Sequence, residues 1–247
     1  SRGVACAVML FLLNNQKHIL HLPHPYPFRL DLSLLKKILY IGIPNGLENS
    51  MFQLGKIVVL SLVAGYGTAS LAANAVCNNV ATFAVLPGTS MGFAVLTVTA
   101  QCVGAGDFEQ VKYYTKRLLF AAYGCLIVMN ILVLLAMPTV LSIYGLSDEA
   151  SGYAVKILIY HSLCVVTIWP MSFTLPNALR AAADVKFTML LSIFSMWVFR
   201  FGFSVLLGTM LGMGVFGVWV AMTIDWLVRA VCFTFRYRSG KWQRFVL

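Results

Sequence analysis

The longest uncharged stretches of this chain determine what it can fold into. Fifty consecutive residues between Lys56 and Asp107 contain no Asp, Glu, Lys or Arg, and three further charge-free stretches follow, at 118–147, 157–179 and 201–224. A helix needs about 20 apolar residues to cross the hydrocarbon core of a bilayer. Repeated runs of this length predict an all-α integral membrane protein rather than a water-soluble domain.

The composition agrees with a membrane protein and excludes several other classes. The chain is 60% hydrophobic and 11% charged, with a mean hydropathy of +0.85, which is unlike globular or disordered proteins. Its net charge of +10 does not indicate nucleic acid binding, because the basic residues cluster in short connectors without an RNA-binding or zinc-finger pattern. The six cysteines form no CxxC motif and fall in apolar stretches, so we expect buried apolar side chains rather than disulfides or a metal site.

Turn and breaker residues divide the chain into six transmembrane helices within residues 38–237. Residues 1–13 are apolar but long enough for only half a crossing, which is typical of the end of a preceding transmembrane helix. Residues 14–37 form a connector, and residues 238–247 form a basic tail. The predicted helices span 38–64, 73–103, 117–143, 153–178, 186–208 and 213–236.

The distribution of Lys and Arg predicts the orientation of this bundle. One face holds Lys156 alone, beside Asp148 and Glu149, whereas the other face holds thirteen basic residues. Cytoplasmic loops carry such an excess, so the connector 14–37 and the carboxyl terminus are expected in the cytoplasm of a multi-pass cell membrane protein. The thirteen are Lys17, Arg29, Lys36, Lys37, Lys112, Lys116, Arg117, Arg180, Lys186, Arg236, Arg238, Lys241 and Arg244.

The first full helix carries a polar stripe that cannot face lipid. Its members recur at spacings of three and four, which places them along one helical face: Asn45, Glu48, Asn49, Gln53 and Lys56. Polar groups inside a bilayer are costly, so this face must contact other helices or a water-filled cavity. We therefore predict that these residues, with Asn78 of the next helix, line a pathway for substrate or ions.

Two interpretations of Glu48 remain open. It is either a proton or sodium site whose ionisation changes during transport, or a structural carboxylate near the membrane interface. Lys56 lies about 12 Å farther along the helix, too far for a direct ion pair with Glu48, and is expected to line a cavity or to extend toward water. Asn78 either lines the same cavity or bonds to a neighbouring helix.

Asp225 and Arg229 are four residues apart on the last helix, and we predict a structural ion pair. Arg200, surrounded by apolar residues, needs a partner or a wet surface. Leu86-Pro87-Gly88 and Trp169-Pro170 are predicted to interrupt their helices.

No chemistry of a cofactor or enzyme is indicated. The series His18, His21 and His24 lies among prolines that prevent a regular helix, and no Cys or carboxylate completes a metal site. The chain also contains no Walker loop, HExxH, GxSxG or usefully spaced carboxylate pair, so an enzyme is not expected.

Four segments resemble the multidrug and toxic compound extrusion (MATE) transporters, in particular their carboxyl-terminal lobe. Residues 42–49 (GIPNGLEN) are similar to the start of the family's seventh helix, and residues 67–74 (GTASLAAN) to the entry of its eighth. Residues 101–107 (QCVGAGD) resemble the exit of that eighth helix. The last segment, from Gly217 through Asp225 to Trp242, resembles the twelfth helix and the tail.

The resemblance implies one lobe of a two-lobe transporter. The family would export drug-like, cationic or amphipathic organic compounds by antiport with H+ or Na+, and the coupling ion would be the only cofactor. The partners would be membrane lipid, a small organic substrate and the missing amino-terminal lobe, joined through the connector 14–37. One departure is evident: Phe52 and Trp169 stand where one branch of the family has cation-binding carboxylates.

Two alternative functions remain at this stage. A lipid-linked oligosaccharide flippase would be favoured by a continuous basic cavity, to which Lys56 and Arg200 could contribute. A non-transporting membrane scaffold would be favoured by polar stripes that pack fully against each other and leave no cavity.

Overall fold

A computed structural model describes residues 2–13 and 31–244 of the chain, and the secondary structure in those ranges is helical. Six helical segments there are long and apolar enough to cross a membrane, which confirms the predicted number. The α-helices are α1 (Arg2–Leu13), α2 (Leu32–Ala64), α3 (Thr68–Gly104), α4 (Phe108–Tyr144), α5 (Asp148–Thr167), α6 (Pro176–Ala181), α7 (Val185–Ser195) and α8 (Gly214–Arg238).

Three π-helical segments and one short 3-10 helix complete the elements. They are Pro170–Thr174, Met196–Gly202, Ser204–Met210 and the 3-10 helix Lys241–Arg244. The fifth span, Val185–Met210, therefore begins as α7 and continues as two π-helical segments. A π turn holds more residues than an α turn, and such turns are frequent at functional sites.

The chain divides into two compact units, residues 1–39 and 40–247. In the first unit, Asp31 caps α2: its carboxylate accepts hydrogen bonds from the backbone N–H groups of Ser33 (2.9 Å) and Leu34 (3.2 Å). A hydrogen bond from the Ser33 hydroxyl and these backbone bonds lower the pKa of Asp31. The second unit contains the helical bundle.

Helix α2 begins earlier than predicted, at Leu32 instead of residue 38. The Asp31 cap and a Leu-rich turn start the helix before the apolar run that the prediction used. Pro44 therefore lies well inside the helix rather than near its start, where it removes one N–H donor without ending the helix. The rest of the predicted connector lies outside the described residues, including His18, His21 and His24.

The predicted interruption at Pro87 is wrong. Helix α3 continues through this residue from Thr68 to Gly104. Pro87 lacks the N–H that would bond to the Phe83 carbonyl four residues earlier, and a membrane helix tolerates this single loss. The Thr89 and Ser90 hydroxyls bond to a different carbonyl, that of Leu86, at 2.7 and 3.1 Å. Close packing against α4 also holds the helix continuous.

The predicted interruption at Trp169-Pro170 is confirmed. Helix α5 ends at Thr167, and the chain continues as the π-helical segment Pro170–Thr174 and the short α6. Pro170 and Pro176 lack the N–H that a continuous α-helix would need at those positions. The fourth span therefore extends beyond its predicted end at residue 178, to Ala181.

Basic side chains collect at one end of the bundle. The start of α4, the connection between α6 and α7, and the end of α8 meet there because successive spans run in opposite directions. We call this the basic end, and the end formed by the α2–α3 connection, the start of α5 and the start of α8 the opposite end.

Two glycines let α3 approach the fourth span closely. A Cβ atom on Gly88 would meet the Trp169 ring, with its Cε3 atom only 2.9 Å away, and one on Gly92 would lie 2.7 Å from the Asn177 amide nitrogen. The Gly88 carbonyl also accepts a hydrogen bond from the Thr174 hydroxyl at 3.2 Å. The Trp169 and Asn177 side chains of the fourth span therefore pack directly against the α3 backbone.

We predict that Gly88→Ala destabilises the bundle by about 1–3 kcal/mol, because the added methyl group overlaps the buried Trp169 ring. Thermal unfolding of the purified full-length gene product in detergent measures the change. Gly124→Ala is the matched control: it lies inside α4 with nothing within 4 Å of the new Cβ, so it should be neutral or stabilising by up to about 1 kcal/mol. Equal melting temperatures for the two variants would contradict the close packing.

Candidate functional site

A cavity of about 360 Å³ lies between α2, α3, the fifth span and α8. Lys56 is eight residues from the end of α2, about 12 Å along the axis, and Asn74 is six residues from the start of α3. The cavity therefore lies in the half of the bundle nearer the opposite end. Its lining residues are Lys56, Val59, Leu60, Asn74, Ala75, Asn78, Asn79, Arg200, Val218, Trp219 and Met222.

Two cationic side chains dominate the electrostatics of this cavity. The Lys56 Nζ atom lies 5.1 Å from the centre of the Phe52 ring, and the Arg200 guanidinium carbon lies 5.6 Å from it. The Arg229 guanidinium approaches the same ring, at 5.4 Å. Cations are attracted to the face of an aromatic ring, but a ring carries no net charge and cannot neutralise them.

The carboxylates of the chain are engaged elsewhere. All eight lie in the described residues, and none forms a salt bridge with Lys56 or Arg200. Four stand at helix starts, where their negative charge interacts favourably with the positive end of the helix dipole: Asp31, Asp107, Asp148 and Glu149. The other four form the ion pairs Glu48–Arg180, Glu109–Lys112, Asp184–Arg236 and Asp225–Arg229.

Arg200 is the more constrained of the two cavity cations. It lies in the π-helical segment Met196–Gly202 and is only 9% exposed. Its Nε atom is buried and has no hydrogen-bond partner within the described part of the chain. The Asp225 carboxylate attracts Arg200 without forming a salt bridge with it and is itself paired with Arg229, so an anionic group in the cavity would further stabilise the buried Arg200 guanidinium.

The cavity also has amide and aromatic walls. The Trp219 indole donates to the Asn74 side-chain oxygen at 3.0 Å, which fixes both groups in the wall. The Asn78 amide donates to the Asn74 carbonyl at 2.8 Å. The Trp219 ring, Leu60 and Met222 form an apolar part of the cavity wall beside the two cations.

Glu48 occupies a different site, toward the basic end. It is 8% exposed, and its Oε1 atom accepts a hydrogen bond from Arg180 at 2.6 Å. Arg180 also donates to the Asn177 side-chain oxygen at 3.0 Å. The second Glu48 oxygen and the Arg180 Nε atom are buried without a partner among residues 2–13 and 31–244, so the pair is not fully satisfied.

The six predicted pathway residues separate into three groups. Lys56 and Asn78 line the cavity, and Glu48 belongs to the ion pair with Arg180. Asn45, Asn49 and Gln53 lie exposed on the surface of α2, where the Asn49 amide donates to the Asn45 carbonyl at 3.0 Å. The stripe therefore follows one face of α2 without converging on one point.

Asp225 and Arg229 form the ion pair that their spacing predicts. The Arg229 Nε atom lies 2.9 Å from Asp225 Oδ1, and both side chains are almost fully buried. Arg229 also donates to the Ser192 carbonyl at 3.0 Å, and the Ser195 hydroxyl bonds to the Asp225 carboxylate. The pair thus connects α8 to the fifth span.

Sequence reasoning missed the partner of Glu48. Arg180 was counted among the charges of an exposed connector, but α6 extends the fourth span and carries Arg180 into contact with α2. The sequence signal for this contact was Pro176, which starts a new helical turn four residues before Arg180. Spacing places Lys56 beside Phe52, four residues away on α2, but it could not identify Arg200 and Arg229, which come from two other spans.

The aromatic residues at the two departures from the family pattern are well packed. Trp169 is buried and stacks on Phe173, with ring centres 5.1 Å apart. Phe52 has three cations around its ring.

Comparison with known proteins gives consistent relatives. The MatE family model matches residues 44–206. The probable multidrug resistance protein YoeA of Bacillus subtilis is 26% identical over 244 residues, which are 96% of this chain and 51% of that protein. The chain spans about half the length of the curated relatives that it matches.

Solved transporter structures share the fold. An outward-facing MATE family transporter of the MOP superfamily superposes with a TM-score of 0.86 at 18% identity, covering 98% of this chain and 55% of that one. A MOP superfamily transporter from Pyrococcus furiosus, described as having a binding pocket of reverse polarity that suggests a different function, superposes with a TM-score of 0.81 at 17% identity. That match covers 98% of this chain and 54% of the other.

We predict that Asp225→Asn lowers the free energy of unfolding by about 3–5 kcal/mol, because it leaves the buried Arg229 without a counter-charge. The melting temperature of the full-length gene product in detergent measures this loss. Glu109→Gln removes an exposed pair with Lys112 and should cost less than about 1 kcal/mol. A loss no larger for Asp225→Asn than for Glu109→Gln would show that the buried pair is not structural.

Proposed function

Since the chain belongs to the MatE family, we propose that it is the carboxyl-terminal lobe of a two-lobe secondary active transporter. This transporter would export drug-like, amphipathic organic compounds by antiport with H+ or Na+. Six spans and a match to about half the length of the curated relatives support a single lobe. Alternating access then requires a second lobe, supplied by the same gene product.

The exposed polar stripe of α2 supports this arrangement. Asn45, Asn49 and Gln53 are exposed on the surface of the chain, although they lie in a membrane-spanning helix. Contact of these amides with acyl chains would be costly, whereas an aqueous cleft between two lobes would hydrate them. The basic end would lie in the cytoplasm, as the excess of Lys and Arg indicates.

The pair of unneutralised cations in the cavity carries the proposal for the solute. A cationic compound would be repelled by Lys56 and Arg200, while a carboxylate or sulfonate would form charge-assisted hydrogen bonds with both. Trp219, Leu60 and Met222 would contact the apolar part of the same compound. We therefore favour amphipathic solutes with an anionic group over the cationic drugs that the resemblance implies. The description of the P. furiosus transporter, with its pocket of reverse polarity, is a precedent for such a change within this fold.

Glu48 is the residue of this chain that we propose for ion coupling. It is a carboxylate within a membrane span, with one oxygen on Arg180 and the other buried without a partner among the described residues. A proton or Na+ that binds the carboxylate would weaken the attraction to Arg180, and the two side chains could then separate. Such a step would link ion occupancy to the contact between α2 and α6.

The comparisons do not favour the alternative functions. A lipid-linked oligosaccharide flippase would need a longer basic path than the two cations of this cavity, and a fully packed scaffold would have no cavity. Several relatives carry names of multidrug resistance proteins, which favours export of small organic compounds.

We predict that the full-length gene product in proteoliposomes moves carboxyfluorescein, an anionic dye, when a proton or sodium gradient is imposed. Lys56→Gln and Arg200→Gln should each raise the apparent KM by about tenfold or more, because a hydrogen bond to a charged group contributes about 1.5–3 kcal/mol. Fluorescence of the entrapped dye measures the rate, with ethidium as a cationic comparison.

Two controls make this result specific. Lys156→Gln removes an exposed lysine of α5 that does not line the cavity, and it should leave the rate unchanged. Lys56→Arg keeps the charge and should retain most of the transport. If only ethidium moves, and Lys56→Gln does not change its rate, the cavity is not a site for anionic solutes, although the protein is still a transporter. If neither dye responds to the gradient, the protein is not a gradient-driven transporter of these dyes.

We predict that Glu48→Gln abolishes the dependence of transport on the ion gradient and leaves passive exchange of the solute intact. The ratio of rates with and without the gradient is the measurement. Arg180→Gln separates coupling from structure, because it breaks the same ion pair but keeps the carboxylate. A gradient dependence lost equally in both variants, or lost in neither, would remove Glu48 from the coupling mechanism.

A further inference from the structure

We propose that a second cleft, at the basic end of the bundle, binds the headgroup of an anionic phospholipid from the adjoining leaflet. The cleft has a volume of about 570 Å³ and lies between α4 and α8, with one wall from the fourth span. It is separate from the Lys56 and Arg200 cavity. Its lining residues are Lys112, Thr115, Lys116, Leu119, Phe120, Tyr123, Met171, Leu175, Thr234, Tyr237 and Arg238.

The rim of the cleft is cationic. Lys112 and Lys116 are four residues apart and share one face of α4, and Arg238 is the last residue of α8. Lys112 also pairs with Glu109 at 2.7 Å, but both side chains are exposed, and such a pair is weak in water. Neither Lys116 nor Arg238 forms a salt bridge within the described residues, so the rim has a net positive charge.

The floor of the cleft is apolar. Leu119 and Phe120 follow Lys116 along α4, and Met171 and Leu175 of the fourth span face the same space. From Lys112 to Phe120 the axis advances by about 12 Å, away from the basic end and toward the middle of the span. A phospholipid has this same order of chemistry, with a charged phosphate above an acyl chain, whereas a free phosphate ion would gain nothing from the floor.

Hydroxyl groups lie between the rim and the floor. Thr115, Thr234 and Tyr237 line this middle layer of the cleft. The Thr115 and Tyr237 hydroxyls are buried, whereas Thr234 is half-buried and can donate a hydrogen bond to a phosphate or glycerol oxygen. Basic pockets between transmembrane helices at the membrane surface are typical sites for anionic lipid headgroups.

The rim is held in place by the segment that follows α8. The Trp242 ring stacks on Tyr237 with ring centres 5.3 Å apart, and its indole N–H donates to the Tyr237 carbonyl at 2.9 Å. Phe108, at the start of α4, packs edge-to-face with the same Trp242 ring, with ring centres 5.9 Å apart. Trp242 thus joins the two helices that form the cleft, so a headgroup would meet a preformed site rather than a flexible one.

The test measures binding of phosphatidylglycerol to the full-length gene product by native mass spectrometry. Phosphatidylcholine and inorganic phosphate are the comparison ligands. We expect phosphatidylglycerol to bind in preference to both, because the site requires an anionic headgroup and an acyl chain together. Lys116→Gln and Arg238→Gln should each weaken its binding on the order of fivefold, and the double variant on the order of 25-fold.

Arg117→Gln is the matched control. Arg117 is the sequence neighbour of Lys116, but it lies over the Tyr113 ring at 5.3 Å and does not line the cleft. Its removal changes the net charge equally and should leave lipid binding unchanged. All three positions are exposed, so the variants are expected to fold.

Three outcomes would overturn the proposal. Equal losses in Lys116→Gln and Arg117→Gln would mean that general surface charge attracts the lipid. Unchanged binding in the double variant would place the lipid elsewhere, and inorganic phosphate that competes as well as phosphatidylglycerol would assign the site to a soluble anion. None of these outcomes depends on whether the chain transports a solute.

Discussion

The cost of placing charge inside hydrocarbon organises this structure. The Asp225–Arg229 pair is almost wholly buried, and Glu48–Arg180 and Asp184–Arg236 are largely so, because an isolated ion there would be expensive. Glu48–Arg180 and Asp184–Arg236 join parts of the chain that are distant in sequence, whereas Asp225–Arg229 lies within α8. Lys56 and Arg200 stand out against this rule, since they share one cavity and neither forms a salt bridge with a carboxylate of the described residues.

Phe52 makes the crowding of these cations tolerable. Lys56, Arg200 and Arg229 lie over its ring, 5.1–5.6 Å from the centre, and each cation gains a weak attraction from it. The fold around this ring matches a MATE transporter structure with a TM-score of 0.86.

Much of the fold could be predicted from sequence, because apolar length and connector charge are local properties. The six spans, the break at Trp169-Pro170 and the i, i+4 pair of Asp225 and Arg229 all follow from residues close together in the chain. Continuity through Pro87 was missed because it depends on packing against α4. The Glu48–Arg180 contact was missed because 132 residues separate its partners, and no local pattern records which spans become neighbours.

The close approach of α3 to the fourth span restricts how this lobe can move. Gly88 faces Trp169 and Gly92 faces Asn177, while the Thr174 hydroxyl holds the Gly88 carbonyl. Movement of one element along the other would require these side chains to leave the glycines and the Thr174 hydrogen bond to break. Arg180, which donates to Asn177, would move with the fourth span, toward or away from the carboxylate on α2.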